Sequence, residues 1–159
     1  MNKIITLVAV MSLGINLIKA PVPFEALSVE QRAERAGMTT EEFILISSVT
    51  EAESDRSAGS TEGRVMIALT ILNRVNDPRF PDSIEGVLTQ QGQFSTVRNG
   101  CSVTPRSDLS DMAVIEAVEW LEAGDAPEVL FFNCVGYNYG EPYGYIGGNY
   151  FMTLEANNG

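Results

Sequence analysis

Beyond residue 39, apolar and polar positions follow a helical period over most of the chain. Stepping about 100° per residue from Phe43, the side chains of Phe43, Leu45, Ile46, Val49 and Ala52 crowd one side of a helix predicted over residues 40–53. Thr39, followed three positions later by Glu42, is a capping box that opens this helix. Glu53 falls on its apolar side, one turn after Val49, whereas Glu51 falls on the opposite side with Ile44 and Ser47. A second helix is predicted over 61–75. Positions 65–72 are apolar except for Thr70, so it should be buried nearly all round. Asn76, Asp77 and Pro78 end it, and Asp82 with Glu85 caps a short helix running to Leu88. Residues 90–100 read as an extended, amide-rich loop. Another amphipathic helix covers 108–123, stopped by Gly124, with Glu116, Glu119 and Glu122 on its solvated edge. Residues 129–132 suit a short strand or a buried extended segment.

This succession predicts a mainly α (α+β) fold: a helical domain with a small β or extended segment, rich in Tyr and Gly, at the C-terminal end. Three stretches are expected. Residues 1–20 read as a signal peptide, with a short basic start and an apolar run from Ile4 to Ile18 that is brief for a membrane span. An uncleaved anchor is the other reading, because Ile18 stands where a small residue is usual and Pro21 follows the expected cut. Residues 21–38 read as a charged linker holding at most a short helix near 30–35, and 39–155 as the main folded domain. The expected location is extracytoplasmic.

Composition narrows the chemistry. The 159 residues include no histidine, which excludes Ser-His-Asp and Cys-His nucleophiles and His-ligated zinc. Acid–base chemistry then falls to carboxylates. A net charge of −11 makes the nucleic-acid backbone an unsuitable partner. Neither metal nor cofactor is expected, and the chain reads as a monomer. In an exported chain Cys101 and Cys134 can form a disulfide closing roughly thirty residues, worth about 3–4 kcal/mol in the loop-entropy picture; two separate thiols are the alternative.

Two features suggest a glycan site. A carboxylate at the end of an apolar stripe is partly desolvated, which suits a group that must hold and donate a proton; this favours Glu53. All five tyrosines lie within 137–150, among Gly and Asn, where flat amphipathic rings can stack on sugars or simply pack a small hairpin.

The chain also resembles the spore cortex-lytic, SleB-type cell-wall hydrolase family of bacteria over about residues 43–152. The resemblance rests on Ala52 and Glu53, then Glu62-Gly63-Arg64-Val65 leading to Leu72-Asn73-Arg74-Val75. It continues through Pro78-Arg79-Phe80-Pro81-Asp82-Ser83-Ile84 to Gly92-Gln93-Phe94-Ser95, with Asn99-Gly100 following. It implies a lysozyme-like helical fold and cleavage of peptidoglycan glycan strands between N-acetylmuramic acid and N-acetylglucosamine by one glutamate, on a lytic transglycosylase-like route. By that match Glu53 is the catalytic residue. Sliding the alignment across the departing loop 55–61 puts Glu51 in its place. Asp55 and Glu62 are accessory carboxylates should water be the nucleophile, although Glu62 also suits the first turn of a helix. Gln93, Phe94 and Ser95 are candidates for orienting the sugar, and Tyr137, Tyr139 and Tyr145 for stacking on it. Asn73 and Arg74 can equally serve to tie down a helix end. A non-catalytic glycan-binding module and a structural or regulatory secreted domain are the other classes of function open to the sequence.

Overall fold

The computed structural model describes residues 22–54, 60–94, 97–98, 101–102 and 104–154. Among these, five α-helices precede a three-stranded sheet: α1 (Val29–Arg35), α2 (Thr40–Glu53), α3 (Thr61–Asn76), α4 (Ile84–Leu88) and α5 (Asp108–Ala123). A two-residue ribbon, β1 (Val97–Arg98) with β2 (Cys101–Ser102), stands between α4 and α5; β3 (Phe131–Asn133), β4 (Glu141–Ile146) and β5 (Asn149–Thr153) follow. No described helix is long and apolar enough to cross a membrane.

Helix starts are set by local polar chemistry. Thr39 and Glu42 form the expected reciprocal box: the Thr39 N–H donates to Glu42 Oε2 at 3.0 Å and the Glu42 N–H to Thr39 Oγ1 at 3.2 Å. Ser60 accepts from the Gly63 N–H at the start of α3, and Ser107 from the Ser110 N–H at the start of α5. The short helix α4 is capped by Ser83, one residue beyond the expected Asp82, because the Ser83 hydroxyl reaches the Gly86 N–H at 3.1 Å. Gly124 ends α5 at φ 78°, in the left-handed region that glycine adopts without a Cβ penalty.

Helix α3 is the central element. Every residue from Gly63 to Leu72 is buried, as its apolar run predicts, and it packs on α2, α4, α5 and the sheet. The C-terminal part of the α2 side that carries Glu51 is covered rather than wet, because α3 and the N-terminus of α5 close over it; Ser47 and Thr50 are fully buried, while Ile44, nearer the start of the helix, stays exposed. The stretch expected to be a linker is also part of the domain. Helix α1 buries Ala33 and Ala36 in the main core, and its Arg32 donates to Asp108 at 2.6 Å and to Asp111 at 2.7 Å on α5. Burial opposes the Arg32 charge, but the two carboxylates outweigh it and hold the guanidinium pKa above its ordinary value.

The sheet is antiparallel with order β3-β5-β4. Phe132 pairs with Phe151, and their rings meet at 5.7 Å on the face turned to the helices. Met152, the next residue, lies on the other face, covered by the 137–139 segment, whose Asn138 and Tyr139 N–H groups approach its sulfur at 3.2 and 3.4 Å. The turn between β4 and β5 uses Gly147 at φ 56° and Gly148 at φ 88°. It presses against α3 so closely that a Cβ on Gly147 would stand 2.7 Å from the Gly63 Cα.

The expected Cys101–Cys134 disulfide is absent: Cys134 is a free, exposed thiol. The two positions belong to different neighbourhoods, since β2 lies against α2 while Cys134 follows β3, which lies against α3. The apolar run of residues 1–20, Asp55 and Ser95 lie outside the described residues.

Candidate active site

The C-terminus of α2 and the N-terminus of α3 meet at one carboxylate. Arg64, 5% exposed at its side chain, donates from Nε to Glu51 Oε2 at 3.1 Å and from Nη2 to Oε1 at 3.4 Å. The Ser107 hydroxyl, at the start of α5, donates to Glu51 Oε2 at 2.7 Å. The Glu51 side chain is only 14% exposed. Three helices therefore fix a single carboxylate at the end of α2, with charge-assisted hydrogen bonds on both oxygens. The remaining Arg64 nitrogen reaches the Ser60 carbonyl at 3.3 Å and so ties the pair to the α3 cap.

Glu53 is the last residue of α2 and is partly exposed. Helical phase marks it as the sheltered carboxylate; Glu51, on the other side of the helix, is sheltered as well, its side chain 14% exposed. The reason is tertiary: an apolar stripe marks the face turned to the main core, whereas the opposite face is buried by polar partners that the helix's own sequence does not show. Glu62 is exposed in the first turn of α3, where its charge suits the helix dipole.

The tyrosines approach from the sheet. Gly63 touches Gly147, so the β4–β5 turn sits on the N-terminus of α3, beside the helix end that carries Arg64. Tyr145 and Tyr150 flank this turn with ring centroids 4.6 Å apart, and Tyr137 meets Tyr150 edge-on at 5.0 Å. Tyr145 remains 61% exposed and Tyr137 41%. Tyr139 is exposed too, but its ring neighbours Phe131 at 6.2 Å, further along the sheet. The segment is a hairpin, and the rings of Tyr137, Tyr139 and Tyr145 remain open to solvent.

Gln93 and Phe94 belong elsewhere. Phe94 is a core residue, 5% exposed, packed on Phe132 at 6.2 Å. Gln93 accepts at Oε1 from Arg74 Nη1 at 3.0 Å. Arg74 lies ten residues along α3 from Arg64, about 15 Å along the axis. It is held by the Leu130 carbonyl at 2.7 Å and by the rings of Phe80, Phe94 and Phe131, with its guanidinium carbon 5.1–5.7 Å from their centroids. Burial lowers its pKa to about 10, which leaves it charged at neutral pH. Asn73 donates to the Pro127 and Val129 carbonyls at 2.9 Å each. Asn73 and Arg74 thus fasten the chain entering β3, and Gln93 and Phe94 brace Arg74. The residues that sequence reasoning missed are Ser107 and the function of Arg64. A serine before an Asp-rich helix start signals only a cap, so its second bond was not visible.

No group of three or more metal-ligating side chains occurs among the described residues.

Comparison with known proteins adds a frame for this geometry. A family model described as Cell Wall Hydrolase matches residues 58–139, a span that starts just past α2. Spore cortex-lytic enzymes are similar as well: that of Oceanobacillus iheyensis is 36% identical over 73 residues, 45% of this chain and 26% of the relative. That of Bacillus subtilis is 34% identical over 71 residues, 45% of this chain and 23% of the relative. The matched stretch thus spans about a quarter of these curated relatives. The fold is similar to the crystal structure of the catalytic domain of the Bacillus cereus SleB protein, with a TM-score of 0.60 at 22% identity, covering 72% of this chain and 91% of that one.

Proposed function

Because the chain belongs to the cell wall hydrolase family, we propose that it cleaves the glycan strand of peptidoglycan between N-acetylmuramic acid and N-acetylglucosamine, outside the cytoplasm, with a carboxylate at the end of α2 as acid and base. The observation that carries this reading is Glu51, fixed at a three-helix junction by Arg64 and Ser107, with the open tyrosines of the β4–β5 hairpin on the same end of α3. Glu51 therefore takes first place as the catalytic carboxylate. Glu53, two residues on and partly exposed, is the second candidate.

In this reading the acid protonates the glycosidic oxygen and the bond to the anomeric carbon breaks. The carboxylate left behind is the species that Arg64 and Ser107 are placed to stabilise, so their hydrogen bonds strengthen as the proton departs. The same carboxylate then removes the proton of the muramic acid 6-hydroxyl as that oxygen attacks its own anomeric carbon, closing a 1,6-anhydro ring. One carboxylate suffices because it is acid first and base second. Hydrolysis by water would call on a second carboxylate, for which Glu62 and Asp55 are the candidates. Tyr145 and Tyr137 offer stacking faces for the sugars; Tyr139, further along the sheet, suits a more distant ring.

Zymography on purified peptidoglycan tests the assignment. Glu51→Gln should lower lysis about 10²–10⁴-fold, the usual worth of a positioned proton donor. If Glu53→Gln abolishes clearing and Glu51→Gln does not, the roles exchange. If both variants clear like wild type, the domain binds glycan without cutting it. Mass spectrometry of the released fragments separates anhydro ends, from transglycosylation, from reducing ends, from hydrolysis.

A further inference from the structure

The face of α2 that ends at Glu51 has a second occupant. Ile44, Ser48 and Glu51 stand at i, i+4 and i+7, one stripe about 10 Å long at the helical rise. The first two line a groove of about 500 Å³, closed on the other side by Leu27, Pro105, Arg106 and Ser107. Ser107 belongs to both places, since its hydroxyl also donates to Glu51. The groove thus leads away from the candidate carboxylate, between α2 and the start of α5, towards α1.

Its chemistry differs from that of the hairpin. Among the described residues no aromatic ring lines it, and there it lacks the flat faces that sugars stack on. It offers aliphatic surface, two hydroxyls and two guanidiniums, in a chain with only ten Lys and Arg against twenty-one Asp and Glu. Arg32 lies at its floor, 6% exposed, and its buried Nε has no hydrogen-bond partner although Nη1 is held by Asp108 and Asp111. Arg106 pairs with Asp111 through one terminal nitrogen and stays 28% exposed at its side chain. Asp108 also lines the groove, and with Asp111 it balances the two arginines. The groove as a whole is therefore suited to a dipolar ligand with amides and a carboxylate rather than to a polyanion.

We infer that this groove binds the short peptide stem that peptidoglycan carries on the lactyl group of muramic acid, which rests on the glycan-cleaving reading of Glu51. The length agrees: about 10 Å accommodates three extended residues at roughly 3.3–3.6 Å each. Small aliphatic side chains meet Leu27, Ile44 and Pro105, backbone amides meet Ser48 and Ser107, and a stem carboxylate meets Arg106. The muramic acid whose bond is cut is then placed by its own stem.

The test compares glycan strands that retain their stems with strands stripped by an amidase. The wild-type kcat/KM should favour stem-bearing strands about 10–100-fold, the worth of one charge-assisted hydrogen bond with its packing. That ratio should fall towards one in both Ile44→Glu and Arg106→Gln. Ile44 is 40% exposed, so its variant folds even if loss of the Arg106–Asp111 pair weakens the second one. NMR titration with the free stem tripeptide gives a readout independent of catalysis: amides of Ile44, Ser48 and Ser107 should shift, and Ile44→Glu should abolish the shifts. Equal cleavage of both substrates, with no shift at these amides, overturns the inference while leaving glycan cleavage in place. Peptide shifts without cleavage of either strand support the groove and remove the enzymatic reading instead.

Discussion

Helix α3 carries one arginine near each end, and the two are used in opposite ways. Arg64 meets a carboxylate at a three-helix junction; Arg74 meets a carbonyl, an amide and three aromatic faces, with no carboxylate among its described contacts. Both are nearly buried, so burial alone does not tell them apart. The partner does. A guanidinium against a carboxylate fixes an ionisable group that can do chemistry, while one wrapped by rings and carbonyls can only hold the chain in place.

Three substitutions sharpen this contrast. The largest effect on folding is expected at the C-terminal end. Arg74→Met keeps the aliphatic stem but strands the Leu130 carbonyl, and should cost about 2–4 kcal/mol in denaturant unfolding. Its activity per folded molecule should stay near that of wild type; a selective loss of kcat would mean the two ends are not separate. Next, Arg64→Met should lower kcat about tenfold, or roughly 1.4 kcal/mol in barrier, with KM little changed. Should its damage appear only as a lower melting temperature, Arg64 is a second anchor and not a catalytic support.

The smallest effect lies just past α3, where Asp77 pairs with Arg79. The Arg79 hydrogen bond holds the Asp77 carboxyl pKa below its ordinary value. A lowered folded-state pKa adds stability above the unfolded value, near 4, and that increment disappears as pH falls through the folded one. Arg79 is half exposed, so solvent screens the pair, and Asp77→Asn should shift stability at neutral pH by well under 1 kcal/mol. A larger change would make this turn a third anchor.

The same contrast shows what the sequence made legible. Period and caps located α2, α3 and α5 closely, because an apolar stripe and a Thr-x-x-Glu box are local facts. Asn73 and Arg74 were readable as fasteners, since they close a helix. The shelter of Glu51 was not legible: it comes from Arg64, thirteen residues on, and Ser107, fifty-six residues on, and neither is visible in the phase of one helix. Phe94 is the converse case: a ring in a loop looks available until the core and an arginine from α3 are found to claim it, while Gln93 meets the same arginine and stays exposed. Helix α1 falls where the sequence allowed a short helix, but its docking on α5 was not legible, because its stripe is short and its decisive residue, Arg32, is charged.

The contact between Gly63 and Gly147 has a consequence of its own. Where side chains separate two walls, each substitution resets the spacing. Here main chain rests on main chain, and a Cβ on either glycine would collide with the other residue's Cα. The distance between the helix end and the aromatic hairpin is thereby gauged by the backbone. The tyrosines and serines on either side can be exchanged while that distance stays calibrated.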